Sequence, residues 1–132
     1  KGLTKFYLRC IIVSYDTKNK GGYMPTDSEI NTFLAQIRSS ITAKNYEILE
    51  NRYNYRSTLA QLGIVKQDVL DDINKLSANE NWIKEPDNNP SFPGDVWICK
   101  KQLHGACIYI KLKIKVSNGN ALLIMSYHID GM

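Results

Sequence analysis

Cys107-Ile108-Tyr109-Ile110-Lys111-Leu112-Lys113-Ile114-Lys115-Val116 is the stretch whose reading decides the fold. Apolar and polar residues alternate with period two, the signature of a half-buried strand. Ile108, Ile110, Leu112, Ile114 and Val116 fall on a face that wants a core. Cys107, Tyr109, Lys111, Lys113 and Lys115 fall on the other, a row of donors and positive charge. Asn118-Gly119 follows, a strong signal for a two-residue hairpin loop. That loop pairs Lys115 with Leu122, Lys113 with Ile124, Lys111 with Ser126 and Tyr109 with His128. On the opposite face it pairs Ile114 with Leu123, Leu112 with Met125, Ile110 with Tyr127 and Ile108 with Ile129. Directly opposed side chains lie roughly 5 Å apart at Cβ, so Tyr109 and His128 are expected to be neighbours.

On the other side of the strand a hairpin leads back to residues 95–103. A two-residue His104-Gly105 loop would set Lys101 against Ile108 and Ile98 against Lys111, mixing the faces. A three-residue loop with Gly105 left-handed is therefore expected. It puts Val96 and Ile98 on the core face, Trp97 opposite Lys111 and Cys99 opposite Tyr109. Trp97, Tyr109, Lys111, Lys113, Ser126 and His128 then share one side of a small sheet.

Outward from this meander the pattern is helical. Thr26 and Glu29 form a capping box behind Pro25. Ile30, Phe33, Leu34, Ile37 and Ile41 follow at helical spacing, predicting an amphipathic helix over 27–43. Residues 46–49 read as a short strand, 51–56 as a polar loop and 57–62 as a helical turn stopped by Gly63. Val69, Leu70, Ile73 and Leu76 mark a second helix over 65–76. Residues 81–85 read as an edge strand ended by Pro86, and 87–94 as a loop. Helices first and a meander last give an α+β fold. A small antiparallel sheet, the three-stranded meander plus one or two edge strands, carries two main helices on one face.

A chain of 132 residues is one domain by length. The net charge of +4 is unevenly spread. Residues 1–23 hold five basic residues and one acidic one, residues 24–95 sum to −4, and residues 96–132 to +4. The sheet end is thus basic and reads as a polyanion contact, with a solvated lysine face guarding a strand as the bland alternative. Cys10, Cys99 and Cys107 are an odd set without C-x-x-C, so no disulfide framework is expected and a reducing compartment is. No stretch is long and apolar enough to span a membrane. A cytoplasmic location follows as the expectation.

Residues 1–23 read as a leader outside the domain, which then covers 24–132. Met24 is followed by an ordinary helix opening, Pro25-Thr26-Asp27-Ser28-Glu29. Lys20-Gly21-Gly22 is encodable by a purine-rich run resembling a ribosome-binding site. A native strand at 6–15 is the alternative.

The polar sheet face suits RNA cleavage. RNA supplies its own nucleophile, the 2′-hydroxyl, so the chemistry requires neither a metal nor a cofactor. It needs a base, cations for the phosphorane and an acid for the 5′ oxygen. His128 is the leading acid/base and Tyr109 orients it or assists. Lys111 and Lys84 are the candidate phosphate cations. Trp97 is the candidate base-stacking ring, with Lys101, Lys113, Lys115 and Ser126 as further RNA contacts. There is no metal-ligand spacing, P-loop or nucleophile elbow. His104, at a turn tip, is expected to face solvent.

Asp68-Val69-Leu70, Leu76, Pro93-Gly94-Asp95-Val96-Trp97-Ile98, Gly105, Ile108-Tyr109-Ile110-Lys111-Leu112 and Ser126-Tyr127-His128 together resemble the MqsR-type toxins of bacterial type II toxin–antitoxin systems. The resemblance covers residues 24–130 and is most specific in Tyr-x-Lys and Ser-[Phe/Tyr]-His. It implies a RelE-like α+β fold, endoribonuclease activity on mRNA, whether free or ribosome-bound, and a neutralising antitoxin partner. The family's catalytic tyrosine and lysine match Tyr109 and Lys111, and its lysine after the second helix matches Lys84. The chain departs from the pattern at His128, where a lysine can stand, and at Gly94 or Asp95, where a catalytic glutamine can stand. The alternatives are a non-enzymatic RNA- or ribosome-binding module on the same lysines, and an interaction protein whose sheet face only docks.

Overall fold

The computed structural model describes residues 22–87, 93–116 and 120–132. Three helices, α1 (Asp27–Thr42), α2 (Tyr53–Leu62) and α3 (Lys66–Asn74), accompany five strands. These are β1 (Tyr46–Ile48), β2 (Ile83–Pro86), β3 (Asp95–Leu103), β4 (Ala106–Lys115) and β5 (Ala121–Ile129). The fold is α+β, with one open sheet in the order β1-β5-β4-β3-β2. The sheet is mixed rather than antiparallel throughout, because β1 runs parallel to β5. Bonds from Leu122 N–H to Asn45 O and from Leu49 N–H to Ile124 O bracket that pairing, each 3.1 Å.

The helices cover one face. Ile30, Phe33, Leu34 and Ile37 of α1 and Val69, Leu70 and Ile73 of α3 meet Ile108, Ile110, Leu112, Leu122, Ile124 and Tyr127. The α1 start forms as expected: Thr26 Oγ1 accepts from Glu29 N–H at 3.2 Å while the Glu29 carboxylate accepts from Thr26 N–H at 2.9 Å. Asp68 likewise reaches back to Val65 N–H at 2.8 Å to open α3. The stretch expected to be a loop at 51–56 is a correction, since α2 begins at Tyr53. Its start has no side-chain cap. What holds it is tertiary: Tyr55 and Thr58 are buried, and Thr58 Oγ1 accepts from Ile129 N–H at 2.9 Å. The signal was present as Tyr55, Thr58, Leu59 and Leu62 at helical spacing, diluted by polar neighbours.

Two register expectations changed. Between β4 and β5 the pairs Ile108–Ile129, Tyr109–His128, Ile110–Tyr127 and Lys111–Ser126 stand as read. A β-bulge then shifts the rest, so Leu112 faces Ile124 and Lys115 faces Ala121. Met125 is the extra residue, and Arg52 caps its carbonyl at 2.8 Å. The bulge sends Leu122 and Ile124, rather than Leu123 and Met125, into the core. The Asn118-Gly119 turn itself lies outside the described residues.

Between β3 and β4 the rejected two-residue loop is the real one. Lys101 faces Ile108, Lys100 faces Tyr109, Ile98 faces Lys111 and Trp97 faces Leu112. His104 and Gly105 both have positive φ, 54° and 81°, as such a turn requires. Histidine is among the residues that tolerate this conformation best. Here Asp72 of α3 also holds the ring, with its Oδ2 2.7 Å from His104 Nε2. The apparent mixing of faces disappears because β3 is buried on both sides: Val96, Trp97, Ile98 and Cys99 are consecutively buried. A continuous apolar run is what a doubly covered strand looks like.

Cys107 is disulfide-bonded and Cys99 is a buried free thiol, so the odd cysteine count did not exclude a bridge. Cys10 and the strand considered at 6–15 lie outside the described residues. Of the leader 1–23, Gly22 and Tyr23 are described, and Tyr23 forms an antiparallel bridge with Lys84 through two 2.8 Å bonds. No described helix is long and apolar enough to cross a membrane.

Candidate functional site

The sheet face opposite the helices gathers Tyr109 and Lys111 of β4 with Ser126 and His128 of β5. The Tyr109 and His128 rings stack with centroids 5.2 Å apart and planes at 19°. His128 Nδ1 donates to the Ile129 carbonyl oxygen at 2.9 Å, since a carbonyl can only accept. That bond fixes the tautomer and leaves Nε2 as the ring's free lone pair. Burial raises the Tyr109 pKa above the ordinary phenol value, with the nearby Glu85 and Asp130 charges adding to it. Tyr109 is therefore a protonated donor near neutral pH. Lys111, half-buried one pair along, has no carboxylate partner among the described residues.

The other expected residues separate from this group. Trp97 points to the helix side, where it stacks on Phe33 at 4.1 Å and 5° and meets Trp82 edge-on at 6.2 Å. Lys84, paired with Trp97 in the register, is on that side too. Its ammonium lies 4.9 Å from the Trp97 ring centroid and contacts Glu29 at 3.3 Å and Asp95 at 3.6 Å. Burial opposes that charge, but hydrogen bonds with Tyr23 and Glu29 and the field of Asp95 outweigh it, so its pKa is raised. Lys101 also turns to the helix side and binds Glu80 at 2.7 Å. Lys113 shares the face of Tyr109 but is 1% exposed and 2.6 Å from Asp87. Lys115 meets Glu47 at 3.0 Å. The lysine row is thus largely neutralised by carboxylates, which sequence alternation alone did not reveal.

Sequence reasoning missed two groups beside His128. Lys100, opposite Tyr109, binds Asp130 at 3.0 Å. It was lost with the loop register. The second group is a cleft of about 270 Å³ lined by Arg52, Tyr53, Asn54, Tyr55, Met125, Ser126 and His128. It opens where β1 stops pairing with β5, beyond Ile124.

No family model, curated protein or solved structure matches this chain. Among the described residues, no three His, Cys, Asp or Glu side chains gather as a metal site. The chemistry of the site therefore has to be read from its own geometry.

Two consequences are measurable. Tyr55 is 5% exposed and its hydroxyl has no hydrogen-bond partner among the described residues. An unsatisfied buried hydroxyl costs roughly 1–3 kcal/mol. Tyr55→Phe is expected to stabilise the protein by about 1 kcal/mol in urea denaturation; a lower midpoint would show that the hydroxyl is satisfied. Secondly, Tyr55, Tyr109 and Tyr127 all have raised pKa values, in each case first because burial disfavours the phenolate. Hydrogen bonding to Asp72 adds to this at Tyr127. The folded chain holds these protons where the unfolded chain, with tyrosines near 10, has released them. Stability is thus intact below about pH 10 and falls as pH rises toward the folded values. Phenolate absorbance and loss of circular dichroism are expected to rise together; ionisation of all three in a folded chain would contradict it.

Proposed function

We propose that the Tyr109–His128 face cleaves RNA as a metal-independent endoribonuclease. The observation that carries this reading is the ring stack beside Lys111, with Nε2 of His128 left available. His128 Nε2 takes the proton of a 2′-hydroxyl, whose oxygen bonds to the adjacent phosphorus. The P–O5′ bond breaks, and the 5′ oxygen receives a proton from the Tyr109 phenol. The imidazolium then returns a proton to the phenolate. Lys111 stabilises the charge that builds on the phosphorane. The products are a 2′,3′-cyclic phosphate and a 5′-hydroxyl.

The resemblance of Tyr109-Ile110-Lys111 and Ser126-Tyr127-His128 to MqsR-type toxins extends the proposal. It supports a RelE-like mRNA-cleaving toxin of the bacterial cytoplasm, neutralised by a cognate antitoxin. Lys84 and Trp97 are not assigned to the chemistry, because they lie across the sheet from His128. A non-enzymatic RNA-binding module on the same face is less well supported. Its affinity would come from lysine charge, and Lys113 and Lys115 already face Asp87 and Glu47.

The deciding experiment incubates purified protein with single-stranded RNA and a chelator. Cleavage to 2′,3′-cyclic phosphate ends is expected. Intact RNA, or cleavage that stops on chelation, defeats the proposal.

A further inference from the structure

Lys100 and Asp130 stand beside the ring stack, and the acid–base chemistry uses neither. Lys100 of β3 is opposite Tyr109 of β4, and Tyr109 is opposite His128 of β5, so the three form a row across adjacent strands. Asp130 follows β5, two residues past His128. Its N–H donates to the Cys107 carbonyl at 2.9 Å, which fixes its backbone at the end of the sheet. Its carboxylate reaches across β4 to the Lys100 ammonium at 3.0 Å. Burial raises the Tyr109 pKa first, then the charges of Glu85 and of Asp130. A negative charge is thus already held by an ammonium within the electrostatic reach of the phenol.

This pair differs from the other lysine–carboxylate pairs of the sheet. Lys84 and Lys101 lie on the helix side, and Lys113 is 1% exposed. Lys115 meets Glu47 at the far end of β4 from Tyr109. In the Lys100–Asp130 pair the carboxylate is the more open member, 34% exposed against 16%. It can turn to solvent while the lysine stem stays packed. An ion pair this open is worth little, so a phosphate oxygen can take the place of the carboxylate.

We infer that Lys100 binds an RNA phosphate next to the one that is cut, and that Asp130 holds the ammonium in place until RNA displaces it. Lys111, which serves the scissile phosphate, is the diagonal neighbour of Lys100 across the β3–β4 pairing. Diagonal positions lie roughly 7–8 Å apart. Two ammoniums set that far apart suit consecutive phosphates of one strand rather than a single group. The inference rests on the cleavage reading for the identity of the ligand. It adds a binding residue, and a carboxylate against which RNA has to compete.

The test measures binding of a mixed-sequence single-stranded RNA with every 2′-hydroxyl methylated, which cannot be cut, to the full chain across a salt series. Lys100→Ala is expected to weaken binding by about tenfold or more, the worth of a hydrogen bond to a charged group. It should also flatten the slope of log affinity against log salt by about 0.7, one phosphate contact on a single strand. Lys100→Arg is expected to keep both. Asp130→Asn is expected to tighten binding by about 1.5- to fivefold, the worth of an open ion pair that no longer has to be broken. Glu47→Gln, the same charge change at the Lys115 pair, should tighten it less. With cleavable RNA, Lys100→Ala is expected to raise KM more than it lowers kcat, because the phosphate it holds does not react. Lys100→Ala with unchanged affinity and salt slope overturns the inference and leaves the cleavage reading standing. Weaker binding in both Lys100→Ala and Asp130→Asn also overturns it, since the pair would then be a structural brace. Equal tightening by Glu47→Gln overturns the role of Asp130. Opposite shifts of the two variants in a protein that cuts no RNA keep Lys100 as a phosphate contact while the cleavage reading falls.

Discussion

His128→Ala is expected to slow RNA cleavage by about 10²–10⁴-fold, the usual worth of one positioned acid or base. Tyr109→Phe is expected to fall in the same range, and the double variant to fall less than the product of the two. The stacked rings explain the non-additivity, because each group acts on a proton that the other needs. Both substitutions leave the core untouched, since Tyr109 and His128 are on the face away from the helices. Thermal midpoints should therefore stay close to that of the parent while single-turnover rates collapse. A His128→Ala protein with full activity would remove His128 as the base. One that loses activity only because it unfolds would remove the assignment as well.

Trp97→Ala carries the second large effect, and it concerns stability rather than RNA. Trp97 is 7% exposed, stacked on Phe33 and edge-on to Trp82. Removing a buried tryptophan typically costs about 3–5 kcal/mol, a large share of a small domain's stability. The substitution also strips the ring from beneath the Lys84 ammonium. A fall of the urea midpoint by a third or more is expected, with cleavage per folded molecule preserved. Had Trp97 been a base-stacking ring, the reverse would hold: an unchanged midpoint and weaker RNA affinity. The two outcomes are far enough apart for one denaturation curve and one binding isotherm to separate them.

The Tyr109–His128 pair was legible in the sequence because it depends on one hairpin whose alternation is strict. The bulge at Met125 did not spoil it, since the shift begins at Leu112, past the pairs that matter. The side of the sheet that Trp97 takes depends on the loop at His104-Gly105. A two-residue turn there faces Ile98 toward Lys111, a pairing that a strand with one wet face disfavours. β3 has no wet face at this end, since Val96, Trp97, Ile98 and Cys99 are buried on alternate sides. The cleft was invisible for a different reason: the residues at 51–56 look polar, and their helix is held by contacts to β5 rather than by a cap.

By itself the sequence determined the elements whose causes are local. The capping box at Thr26 and Glu29, the left-handed stop at Gly63 and the period-two strand at residues 106–115 each follow from neighbours a few positions apart. Tertiary structure alone decided the rest. Asp72 holds His104 in its turn, Arg52 caps the bulge carbonyl, and carboxylates of distant segments neutralise Lys84, Lys101 and Lys115. These are contacts between residues far apart in the chain. The charge left on the sheet face, and the cleft beside His128, exist only once the folded chain brings such residues together.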